Sequence, residues 1–167
     1  MDSGGLTVYG LQQVDDGDWN MWPLIRQLYA GSGDIASKIK SHTEILLSAQ
    51  DYYRRKYWLP LQCDKITDQS IANELFDTGV NCGPGTAVKF LQRSLNLLNR
   101  EQKDYGDIGV DGGLGNATLA ALNANKDHAT LLLLMNVLQG ERYVEICESN
   151  KTQERFLKGW LKRVRMC

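Results

Sequence analysis

Near its start the sequence reads Asp2-Ser3-Gly4-Gly5-Leu6-Thr7-Val8-Tyr9-Gly10, with a carboxylate and a hydroxyl on either side of two adjacent glycines. Glycine takes positive φ at no steric cost, so the segment predicts a tight polar turn that presents Asp2 and Thr7 side by side. A carboxylate and a hydroxyl so placed could hold the attacking water of a glycosidase. Sugar hydrolysis also needs an acid that protonates the leaving oxygen. The same residue types build ordinary capped turns, and spacing alone leaves both readings open.

Two further groups could meet a ligand. Asp77 and Asn81 lie four apart, hence on one helix face, just before the Gly83-Pro84-Gly85 break. They read as a substrate-facing pair or as the exposed end of a helix. Tyr52, Tyr53, Tyr57 and Trp58 crowd together with Arg54, Arg55 and Lys56 between them. Aromatic faces beside donors suit the apolar side of sugar rings, although helical aromatics more often fill a core.

Other patterns exclude chemistry. The run from Gly83 to Lys89 lacks the Gly-Lys-Ser/Thr ending of a phosphate loop, and Gly113-Leu114-Gly115 follows no strand. Asp104, Asp107 and Asp111 lack the alternation of a calcium loop, while His42 and His128 are isolated, so neither a metal nor a cofactor is expected. Cys63, Cys82, Cys147 and Cys167 show no C-x-x-C spacing and read as reduced thiols. The formal charge of −1 gives no field to attract nucleic acid. The basic tail, with Arg155, Lys158, Lys162, Arg163 and Arg165, reads as a solvated helix face. The longest apolar run, Leu131 to Met135, is too short for membrane insertion.

The elements that must position these groups are helical. Trp19 to Ile39 predicts a short helix or loop pair around Gly31-Ser32-Gly33, and Ser41-His42-Thr43-Glu44 reads as a capping box opening a helix through Tyr53 towards Trp58. Asp68 can cap a helix carrying Ile71, Ala72, Leu75, Phe76 and Val80, and Pro84 suits the first turn of the next, with Val88, Leu91, Leu95 and Leu98 as its stripe. Asn99 to Asp107 reads as a solvent-facing connection. Helices are then expected over Asn116 to Leu122, about Ala129 to Glu148, and about Gln153 to Val164, the last with Phe156, Trp160 and Val164 in line. No strand-like alternation appears. The expectation at 167 residues is a single compact all-α domain with glycine-rich elbows.

In order along the chain, these motifs resemble the secretion-activator family of lysozyme-like N-acetylmuramidases, glycoside hydrolase family 108, with its peptidoglycan-binding-like C-terminal region. The resemblance runs from the Asp2–Gly10 turn through Tyr53-Arg54-Arg55-Lys56-Tyr57-Trp58 and Cys63-Asp64 to Phe76-Asp77-Thr78-Gly79-Val80-Asn81-Cys82-Gly83. It continues over Leu91-Gln92, Val110-Asp111-Gly112 through Gly115, Thr118, and Phe156 to Arg163. It implies a lysozyme-like helical fold, with a muramidase-like part over 1–82 and a peptidoglycan-binding-like part over 83–167 packed into one globule. It further implies cleavage of the β-1,4 bond between N-acetylmuramic acid and N-acetylglucosamine, with Asp2 and Thr7 catalytic and Tyr9, Tyr57, Trp58, Asp77 and Asn81 contacting glycan strands. The family's general acid lies in a Glu-Gly-Gly-Tyr segment upstream of the turn, which this sequence does not include. The expectation is therefore an endolysin- or autolysin-type hydrolase that is inactive in this form, or a non-catalytic wall-binding or protein-release module. A second copy of the chain is the candidate to cover the missing first helix. A cytoplasmic chain would reach the wall through a holin-like or other signal-independent route.

Overall fold

Helix ends in this chain are written by caps. Asp34 accepts from the amides of Ala36 and Ser37 to start α2 (Ile35–Ser41), and Asp68 accepts from Ser70 and Ile71 to start α4 (Gln69–Cys82). At the end of α4, Gly83 takes φ 90°, and Pro84 occupies the first turn of α5 (Pro84–Leu98). The elbow between α4 and α5 is as the sequence predicts. The computed structural model describes residues 5–164. The remaining helices are α1 (Trp22–Ala30), α3 (Thr43–Tyr53), α6 (Asn116–Ala124), α7 (His128–Ser149) and α8 (Glu154–Trp160), so the chain is of the all-α class. It divides into two compact units, residues 1–56 and 57–167.

In the first unit a small antiparallel ribbon corrects the strand-free expectation. β1 (Thr7–Val8) pairs with β2 (Leu11–Gln12), Val8 opposite Leu11. Tyr9 and Gly10 join them with φ 50° and 84°, the two positive values of a type I′ hairpin. Val8 and Leu11 point into a core of Trp19, Trp22, Ile25, Ile45, Ala49 and Tyr52, where the two indoles meet edge to face at 5.1 Å. Asp16, buried in the loop after β2, ties the ribbon to α3. It accepts from the Gln12 amide at 2.9 Å, from the Tyr52 hydroxyl of α3 at 3.3 Å, and from the Lys56 ammonium just beyond α3 at 2.7 Å. The capping-box expectation is also corrected. Ser41 ends α2 and donates to the Lys38 carbonyl, His42 takes the N-cap position of α3, and Glu44 pairs with the His42 ring. One π turn (Arg54–Trp58) follows α3.

In the second unit α4, α5 and α7 pack against one another around Ile71, Leu75, Ala87, Leu91, Leu95, Leu131 and Met135. Gly79 lets Leu61 approach α4, since a Cβ there would stand 2.6 Å from Leu61 Cδ1. The segment after α5 is only partly solvent-facing. Asn99 is buried and bonds both the Gln102 amide and the Asp107 carboxylate, which curls the chain back. Gln92 is also buried, and its amide donates to Asp111, to the Gly113 carbonyl and to Thr118, fixing the Val110–Gly115 turn. The last helix is shorter than its stripe suggests. Phe156 and Trp160 stack at 5.9 Å within α8, but Val164 lies beyond its end, against Gly140 of α7.

Two outcomes follow. Gly10→Ala should destabilise the first unit by about 1–2 kcal/mol, because its φ is positive and a Cβ would lie 2.7 Å from the Tyr53 hydroxyl. Denaturant unfolding of Gly10→Ala alone and with Tyr53→Phe checks this; removing the hydroxyl should recover part of the loss. In the second unit, burial raises Asp68, but hydrogen bonds from the Ile71 amide, His128 and the Ser70 amide outweigh it and leave the carboxyl lowered. A depressed carboxyl stabilises the fold above its unfolded pKa, and that stability is lost as pH falls through the folded value. Stability should therefore drop on acidification below about pH 4, and Asp68→Ala should remove about 1 kcal/mol near neutral pH while weakening the acid dependence.

Candidate functional site

Helical spacing places Ser70, Asn73, Glu74 and Asp77 on neighbouring turns of α4, and Leu132 and Asn136 on one side of α7. Together with Phe76, Lys162 and Arg163 they line a groove of about 490 Å³ in the second unit. Two of its polar walls are interior groups: Glu74 is 8% exposed and Asn136 1%.

A polar seam runs beneath the groove. Thr78 donates to Glu74 Oε1 at 3.1 Å, and the Gln139 amide donates at 3.1 Å to both Thr78 Oγ1 and Asp77 Oδ2. Asp77 Oδ1 accepts from Arg163 at 2.7 Å, a half-exposed pair bridging α4 to the chain beyond α8. Gln139 Oε1 and the Tyr143 hydroxyl are buried with no hydrogen-bond partner among the described residues. Burial, reinforced by Cys82 and Asp77 nearby, pushes the Tyr143 hydroxyl far up, so it stays a neutral donor. Cys63, Cys82 and Cys147 are free, and burial lifts the thiols of Cys63 and Cys82 to about 12 and about 11, which keeps both protonated near neutral pH.

The residues expected from sequence fall into separate groups. Thr7 and Tyr9 flank the hairpin in the first unit, both exposed, and the Tyr9 carbonyl accepts from the Tyr53 hydroxyl at 3.2 Å. Asp2 lies outside the described residues. In the second unit Trp58 is half-buried, donates to Asp64 at 2.7 Å and meets Phe76 edge-on at 5.6 Å, while Tyr57 is half-buried beside it. Asp77 joins the groove. Asn81 is exposed, and its amide donates to the Asp77 backbone carbonyl at 2.7 Å, a bond internal to the helix.

Sequence reasoning did not single out Glu74, Asn136 or Gln139, and it read Arg163 as part of a solvated helix face, whereas Arg163 lies beyond the end of α8 and pairs with Asp77. One signal was present. Asn136 and Gln139, three apart, interrupt the apolar stripe of α7, and a polar residue at a core position requires a partner.

The family matches divide the chain at a later point than its two compact units. Residues 1–83 match the family described as glycosyl hydrolase 108, and residues 86–165 match one described as a predicted peptidoglycan domain. A helical, peptidoglycan-hydrolase-like protein is the class that fold and matches define. The first half of the chain is thus similar to the glycosyl hydrolase 108 family, with the peptidoglycan-domain match following at the α4–α5 elbow. No curated protein matches it.

The seam yields a graded expectation. Arg163→Ala removes one partner of a half-exposed pair and should cost at most about 1 kcal/mol. Gln139→Leu strips the donor from buried Thr78 and from Asp77 and should cost about 1–3 kcal/mol. Urea unfolding of the two variants should rank them in that order.

Proposed function

We propose that this chain attaches to peptidoglycan through its second unit and carries in its first the turn of an N-acetylmuramidase. The pairing of the two family matches on one chain carries this reading. Supporting it, the hairpin holds Thr7 and Tyr9 exposed beside a type I′ turn, braced from α3 by the Tyr53 hydroxyl. In this reading Asp2 and Thr7 position the water that attacks the β-1,4 bond, and Tyr9 meets the glycan. The leaving oxygen takes its proton from a Glu in the Glu-Gly-Gly-Tyr segment that the resemblance places upstream, outside residues 1–167.

That division separates binding from turnover, because transition-state stabilisation and ground-state attachment draw on different groups. The second unit is then the wall-binding part. A non-catalytic peptidoglycan-binding or protein-release module is the second reading, and the peptidoglycan-domain match over residues 86–165 favours it.

Sedimentation with purified sacculi and a zymogram decide between them. The 167-residue chain should pellet with sacculi without releasing reducing ends. A chain extended to the upstream Glu should clear cell wall, and its Gln counterpart should be slower by about 10²-fold or more. Equal clearing by both would overturn the assignment of the acid; no clearing by either would favour the non-catalytic module.

A further inference from the structure

The α4–α7 groove carries charges of both signs at close quarters. Glu74 and Asp77 stand on α4, and Lys162 and Arg163 face them from the chain beyond α8. A bare glycan strand is an uncharged polyol that proteins hold on aromatic faces with neutral hydrogen bonds. The groove's one aromatic ring, Phe76, is already engaged edge-on by Trp58. The stem peptide of peptidoglycan, by contrast, bears free carboxylates and an amine within a few bonds of each other.

We propose that this groove binds the zwitterionic stem peptide of peptidoglycan, its ammonium against Glu74 and its carboxylate against Lys162 and Arg163. The inference rests on the attachment to peptidoglycan proposed above. Glu74 offers its carboxyl from an almost fully buried position on the groove wall, where it already accepts from Thr78 and a ligand ammonium would add to that contact. Lys162 is exposed and meets no carboxylate among the described residues, so a ligand carboxylate can take it without breaking an existing pair. Arg163 is held by Asp77 in a half-exposed pair, weak enough to exchange with a ligand carboxylate while Gln139 keeps Asp77 in place. Asn73 adds an amide along the wall for the peptide backbone. The volume of about 490 Å³ lies within the roughly 300–1,000 Å³ of small-ligand sites.

The test is calorimetric titration of the full chain with free alanyl-γ-glutamyl-diaminopimelate tripeptide, with chitotetraose as a peptide-free glycan competitor. Saturable tripeptide binding is expected, undisturbed by chitotetraose. Lys162→Ala, an exposed change that leaves the fold intact by circular dichroism, should weaken it about fivefold to tenfold, and Glu74→Gln about tenfold. No saturable binding, displacement by chitotetraose, or unchanged affinity in Lys162→Ala would overturn the proposal, even if Glu74→Gln failed to fold. Pelleting with sacculi while ignoring the tripeptide would defeat the peptide assignment and leave wall attachment standing. Tripeptide binding without pelleting would do the reverse.

Discussion

A buried carboxyl group must be met by donors, and Glu74 sets that demand on the groove wall of the second unit. Thr78, one turn on, answers it, and Thr78 in turn draws the Gln139 amide across from α7. The same amide reaches Asp77, which reaches Arg163 beyond α8. One chain of polar contacts thus fixes the rotation of α4 about its axis, the facing side of α7 and the course of the chain end. Apolar packing around Leu75 and Leu131 supplies cohesion, but it is tolerant of small rotations. The seam is not.

The arrangement crosses the line between the two family segments. The glycosyl hydrolase 108 match ends at residue 83 and the peptidoglycan-domain match begins at 86, so α4 belongs to the former and α7 to the latter. Both helices nevertheless build one core, within a compact unit that starts at Tyr57. The groove therefore draws its anionic wall from the hydrolase segment and its cationic wall from the peptidoglycan segment. The two family segments are thus physically joined through the packing of α4.

Local signals carried much of the fold into view from sequence. Asp68 and Gly83 mark the ends of α4 through bonds made within a few residues, and Pro84 starts α5 for the same reason. The hairpin escaped because two-residue strands are too short to show alternation; only Tyr9-Gly10, with both φ positive, betrays it. Ser41 misled because its hydroxyl turns back to the Lys38 carbonyl and leaves the cap position to His42. The groove was legible only at Asp77. The groove and the seam beneath it are built by partners far apart in the chain, Gln139 to Asp77 over 62 positions and Arg163 to Asp77 over 86, and no local pattern encodes such pairings.

Hydrogen exchange of the whole chain, with and without solubilised muropeptides, probes the seam and its groove directly. Bound muropeptide should slow exchange in α4 around Asn73 to Thr78 and in α7 around Asn136 to Gln139. Protection confined to the first unit, or none in α4 and α7 at saturating muropeptide, would contradict a wall-binding groove built on Glu74.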